Sequence, residues 1–186
     1  MNKQPVDQAM IEEGVRLILK GIGEDTGREG LLETPLRVSR MYKEIFDDRD
    51  FNATQFSNVE QYSDIVMVRD IPFYSMCEHH MLPFFGSATV SYIPQASYLG
   101  LSKLARAVDY YSRQLQVQER LTTEVAQWLW DQTQPAGVAI MIRARHMCME
   151  MRGVRKIGSE TLTTAFLGKF KTDSELETKF FRLAKL

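Results

Sequence analysis

All three histidines and both cysteines of this 186-residue chain fall in two short segments, Cys77-Glu78-His79-His80 and His146-Met147-Cys148. Thiolate sulfur and imidazole nitrogen are the donors that hold zinc, and donors a few residues apart chelate with little loss of chain entropy. The two segments are distant in sequence. A site built from both therefore needs a fold that returns the chain to one place, which constrains it more than any other feature.

The length fits one domain with a small appended region and is sufficient for a core. With 23 basic against 24 acidic residues the net charge is -1, so the basic excess of a nucleic-acid binder is missing and no such partner is expected. Met1-Asn2-Lys3-Gln4-Pro5 lacks the apolar core of a signal peptide, and no apolar stretch is long enough to cross a bilayer, so no membrane partner is expected. Two cysteines without a secretory signal indicate reduced thiols and a cytoplasmic location.

Residues 7–22 carry Met10, Ile11, Val15, Ile18 and Ile22 at helical spacing. Thr34-Pro35 reads as an N-cap followed by proline at the first helical position, opening a helix with Val38, Met41, Tyr42 and Ile45 inward. An N-terminal helical region over 1–50 and a main unit over 51–186 are expected, within one compact whole. Segments 63–72 and 85–94 read as strands. Ser102 is expected to cap a helix bearing Leu104, Val108 and Tyr111, and a second helix from Glu119 groups Leu121, Val125, Trp128 and Leu129. After Gly137, strand alternation places Val138, Ile140, Ile142, Ala144, His146 and Cys148 on one face. A strand over 161–168 and a helical stretch near 173–185 complete the chain. Antiparallel hairpins with helices in separate runs indicate an α+β fold.

The Cys-x-x-His spacing lets Cys77 and His80 bind one ion from a turn, and Cys148 adds a third ligand. Two thiolates and one imidazole leave a position open for water, as zinc enzymes do, with His79 and His146 close enough to move protons. The catalytic reading leads; a closed structural site taking one of these histidines as fourth ligand is the alternative the spacing leaves open, and buried core thiols and histidines are the plainest one. Ser102, Lys103 and Arg106 begin a predicted helix, where backbone N–H groups and the helix dipole favour an anion. Arg143, Arg145, Arg152, Arg155 and Lys156 gather near the second ligand segment. Converging cations suit a polyphosphate, although any one of them taken alone reads first as a solvated surface charge. Gln118 and Glu119 form the remaining pair: a carboxylate accepts the N1–H and 2-amino donors of guanine, or Glu119 simply favours the first turn of its helix.

These residues stand in longer motifs. Ser75-Met76-Cys77-Glu78-His79-His80-Met81-Leu82-Pro83-Phe84 resembles the metal motif of the GTP cyclohydrolase I family. Gly100-Leu101-Ser102-Lys103-Leu104-Ala105-Arg106 and Gln116-Val117-Gln118-Glu119-Arg120-Leu121-Thr122 resemble its next two blocks, and His146-Met147-Cys148-Met149-Glu150-Met151-Arg152-Gly153-Val154 its last. Further similarity runs from Gly30-Leu31-Leu32-Glu33-Thr34-Pro35 to Thr161-Leu162-Thr163-Thr164, so it covers nearly the whole chain. The resemblance implies the tunnelling fold, an antiparallel sheet with helices on one side, with 51–186 as the catalytic domain. Subunits of this fold associate into a barrel-like ring, usually a decamer of two face-to-face pentamers with active sites between subunits. It implies conversion of GTP and water to 7,8-dihydroneopterin triphosphate and formate, the entry to tetrahydrofolate and other pterins. Carried over residue by residue, Cys77, His80 and Cys148 are the zinc ligands and His79, His146 and Ser102 the catalytic groups. Gln118, Glu119, Lys103, Arg106 and Arg152 bind the substrate. A nitrile reductase of the same fold and a non-catalytic protein with a structural zinc are the rival readings.

Overall fold

The computed structural model describes residues 5–46 and 51–185. Along them run α1 (Gln8–Gly21), α2 (Glu29–Leu32), α3 (Thr34–Phe46), β1 (Gln55–Ser57), β2 (Val66–Cys77), β3 (Pro83–Ile93) and β4 (Ser97–Leu99). Then follow α4 (Leu101–Ser112), β5 (Leu115–Gln116), α5 (Gln118–Thr133), β6 (Gly137–His146), α6 (Met147–Glu150), β7 (Thr161–Gly168), α7 (Lys169–Thr172) and α8 (Ser174–Ala184). The chain divides into two compact units at residue 49/50.

In the first unit the Asp7 carboxylate accepts the Met10 N–H at 3.0 Å and caps α1, which packs on α3. Its inward residues are Ile11, Val15 and Leu19, four apart, whereas Met10, Ile18 and Ile22 stay exposed. The helical expectation holds, but the buried stripe is rotated from the one its strongest hydrophobes suggest. On α3 it is Pro35 and Ser39 that are buried, and Met41 is exposed. Thr34 is the first helical residue, not the cap, because the short α2 immediately precedes it and its hydroxyl donates to the Gly30 carbonyl.

The second unit contains a five-stranded sheet in the order β5-β2-β3-β6-β7 and a small β1-β4 pair. All neighbours in the larger sheet are antiparallel except β5, which runs parallel to β2 through Met76↔Leu115 and Cys77↔Gln116. Strand β2 runs five residues past its expected end. Its ladder with β3 continues through Tyr74↔Phe85, Ser75↔Phe84 and Met76↔Pro83, a pairing that the weak strand propensity of Ser-Met-Cys does not announce.

Alternation on β6 decides where the core lies. Val138, Ile140, Ile142 and Ala144 face Leu104 and Val108 of α4 and Leu121, Val125 and Leu129 of α5. Ala139 and Met141 point the other way and pack with Phe170 and Phe180 of the C-terminal helices. Each fully buried side chain of this size stabilises by about 1.5–3 kcal/mol. The fold is α+β, as expected, but helices are not confined to one side: α7 and α8 cover part of the second face. Strands β3 and β6 approach so closely at Gly86 that an added Cβ would lie 1.9 Å from the Arg143 carbonyl oxygen.

Backbone on both sides of Gly86 is locked in the ladder and cannot yield. Gly86→Ala is therefore expected to destabilise by at least the ~1–3 kcal/mol of a core overpacking, read as a lower urea midpoint.

Candidate metal centre and its surroundings

Strand β2 delivers Cys77 to the edge of the core, and the chain then turns sharply. The Cys77 N–H donates to the Leu82 carbonyl at 2.9 Å, and the Cys77 carbonyl accepts the Met81 N–H at 2.8 Å. Met81 takes the left-handed conformation, φ 53°, that closes this loop. The loop presents His79 and His80 outward from a buried Cys77.

The ten-residue ladder of β3 with β6 brings the second segment alongside, with Phe84 opposite His146. Their rings stack with centroids 4.7 Å apart and planes 2° from parallel. Strand β6 ends at His146, so Cys148 does not share its face as alternation had suggested. Cys148 lies on the helical turn α6. The turn is held by a bidentate ion pair: Arg145 Nε and Nη2 donate to Glu150 Oε1 and Oε2 at 2.7 and 2.6 Å. The guanidinium holds the Glu150 carboxyl below the usual carboxylate range.

Within this arrangement one ligand atom each from Cys77, His80 and Cys148 lie within 4.8 Å of one another, the single group of its kind among the described residues. Cys77 Sγ is 4.0 Å from His80 Nδ1. Zinc–sulfur and zinc–nitrogen bonds at a tetrahedral angle place such donors roughly 3.5 Å apart, so the set fits a metal after a small contraction. His146 is outside the group, which argues against the closed four-ligand site. His79 Nδ1 comes within 3.8 Å of Cys77 Sγ but also stays outside it.

His146 is fixed by a residue that the sequence had assigned to substrate. Gln118 is buried, and its amide nitrogen donates to the Ile142 and Thr161 carbonyls at 3.0 and 2.9 Å and to the Thr163 hydroxyl at 3.1 Å. Carbonyl oxygens accept only, so these contacts orient the amide and turn its oxygen to His146 Nε2, 2.7 Å away. His146 Nε2 must therefore carry a hydrogen, leaving Nδ1 as the nitrogen able to take up a proton. Burial lowers the pKa of this imidazole from its ordinary value, with the Glu119 charge acting in the opposite sense. Gln118 thus commits its amide nitrogen to the sheet and its oxygen to His146, whereas Glu119 is exposed on the first turn of α5.

The cations sort in the same way. Arg145 is taken by Glu150, and Arg143 pairs with Glu160 at 3.8 Å. Lys103, Arg106 and Arg152 form no ion pair among the described residues. Arg152 lies close enough to Cys148 to lower its thiol pKa, against the larger upward push of burial. Gly100, not Ser102, is the N-cap of α4, and Ser102 lies exposed within the first turn. What the sequence reading missed is the support: Phe84 beneath His146, Gln118 behind it, and Arg145 gripping Glu150. Arg145 and Glu150, five apart across the ligand segment, are the one pairing among these whose opposite charges could have been read from the sequence.

Cys148→Ser should lose most bound zinc by elemental analysis, whereas His146→Ala should retain it. Full zinc in the first variant, or loss in the second, would overturn the three-ligand assignment.

The family model described as GTP cyclohydrolase I matches residues 11–185. Proteins named GTP cyclohydrolase 1 are similar over most of their length. That of Clostridium perfringens is 48% identical over 184 residues, covering 97% of this chain and 100% of that protein. That of Lactiplantibacillus plantarum is 51% identical, covering 96% and 97%. That of Geobacillus kaustophilus is 50% identical, covering 97% and 98%. On the match of family, motifs and metal-ligand geometry, the chain belongs to the GTP cyclohydrolase I family.

Proposed function

We propose that this chain is a zinc-dependent hydrolase that converts GTP and water to 7,8-dihydroneopterin triphosphate and formate. The observation that carries the proposal is the Cys77, His80, Cys148 group beside a separately anchored His146, in a chain of this family. Cys77, His80 and Cys148 would hold the zinc, which supplies a Lewis acid that lowers the pKa of water.

The protein groups divide the remaining work. Glu119 accepts the N1–H and 2-amino donors of guanine and so positions C8 toward the metal group. His146 moves a proton between its Nδ1 and the purine N7, which makes C8 more electrophilic. Gln118 keeps the other imidazole nitrogen protonated and the ring in place. Lys103, Arg106 and Arg152, free of ion pairs among the described residues, hold the triphosphate by charge-assisted contacts. After C8 leaves as formate the ribose opens, undergoes an Amadori rearrangement and closes onto the freed amine. Those proton transfers fall to His79 and Ser102, both exposed.

We further propose the tunnelling-fold assembly, a ring of subunits, with a decamer of two pentamers as its form and sites completed across subunit boundaries. Its support within one chain is exposed apolar surface: Leu101 at 60%, Val154 at 63% and Ile157 at 83%. No helix among the described residues is long and apolar enough to cross a membrane. Two free thiols in the site suit a reducing compartment such as the cytoplasm.

Glu119→Ala should weaken GTP binding by roughly 1.5–3 kcal/mol, about 10- to 150-fold, and relax the exclusion of ATP. Unchanged binding and selectivity in a titration with both nucleotides would remove Glu119 from base recognition. His146→Ala should fold, retain zinc and release formate from GTP about 10²–10⁴-fold more slowly. Formate release at the original rate would contradict the proton-transfer role.

A further inference from the structure

A second arginine–carboxylate contact lies behind the first ligand segment. Glu78, between Cys77 and His79, accepts a hydrogen bond from Arg120 Nη2. The same Nη2 donates to the Leu115 carbonyl at 2.9 Å, and Arg120 Nε donates to Gln116 Oε1 at 2.9 Å. Gln116 is fully buried, and its amide nitrogen donates to Glu124 Oε2 at 2.7 Å and to the Tyr111 carbonyl at 3.0 Å. The backbone joins in: the Glu78 N–H donates to the Gln116 carbonyl at 3.0 Å, and Cys77 pairs with Gln116 in the sheet.

An isolated ion pair as exposed as Arg120 and Glu78, with side chains 39% and 33% accessible, contributes little because two flexible side chains must be ordered to make it. Here that ordering is supplied by other contacts. The guanidinium is held on two edges by Gln116 and Leu115 before it meets Glu78, and Gln116 is itself fixed from behind by Glu124. The result is a continuous polar chain from the interior of α5 to the residue between Cys77 and His79. None of these groups belongs to the ligand set, and none is placed against substrate.

We propose that Arg120 is a positioning residue that, through Glu78, holds the Cys77–His80 turn in the conformation in which its two ligands converge with Cys148. Groups behind the ligands of a metal site typically alter affinity 10- to 100-fold when removed. The mechanism is preorganisation. Without the Arg120 contact the turn keeps its backbone bond to Gln116, but the Glu78 side chain no longer restrains the rotation that swings His80 toward or away from the cluster.

The proposal rests on Cys77, His80 and Cys148 being a metal site, and the test separates the two. Zinc affinity is measured on metal-stripped protein by competition with a chromophoric chelator, and cobalt substitution reports ligand geometry from its visible spectrum. The unaltered chain should bind one zinc per subunit, and a chain that binds none overturns the metal reading itself. Arg120→Ala should bind zinc about 10- to 100-fold more weakly, with a weakened or shifted cobalt spectrum. Glu78→Ala removes the acceptor, leaves the Arg120 contacts to Gln116 and Leu115 intact and should weaken zinc in the same direction, which keeps the test decisive if Arg120→Ala folds poorly. The double variant should be no weaker than the weaker single one, because both remove one contact. Zinc affinity unchanged in Glu78→Ala, or losses that simply multiply in the double variant, would overturn the positioning role.

Discussion

The pairing of β3 with β6, from Phe84↔His146 to Ile93↔Gly137, is the contact on which the site depends. It sets His146 beside the strand that leads out of the Cys77–His80 turn, and it aims the α6 turn bearing Cys148 at the same place. A one-residue slip would reverse the faces of β6, moving Val138, Ile140 and Ile142 off the α4–α5 core. Register is thus fixed by two independent demands. The apolar face must be buried, and the backbones must meet at Gly86, where no side chain fits.

An arginine–carboxylate pair stands beside each half of the candidate metal group. Arg145 grips Glu150 around Cys148, and Arg120 reaches Glu78 beside Cys77. The two arginines reach the site from different elements, β6 and α5. Both carboxylates stand one or two residues from a candidate ligand, and His80 itself is exposed.

Most of this was legible in the sequence because it rests on short-range pattern. Helical spacing in 7–22, strand alternation after Gly137 and the Cys-x-x-His interval each encode their structure locally, and the elements lie where they were expected. Two of the failures turn on side-chain and strand contacts that periodicity does not carry. Cys148 leaves the strand because Glu150 is drawn back to Arg145, and β2 continues to Cys77 because β3 pairs with it. Gln118 sits next to Glu119 in sequence, yet its position one step round the helix turns it inward to the β6–β7 backbone, while Glu119 faces out. Adjacency suggested a shared role, and helical geometry sends the two side chains to opposite sides.

The anchoring of Gln118 has a consequence for how the site tolerates sequence change. Two of the three acceptors that orient its amide are main-chain carbonyls, those of Ile142 and Thr161. Substitution cannot delete a carbonyl, so replacing side chains along β6 or β7 leaves both in place as long as the strands stay paired. Only the Thr163 hydroxyl is open to mutation. The location of the hydrogen on His146 is therefore written into the topology of the sheet and one glutamine, and the surrounding side chains are left free to vary.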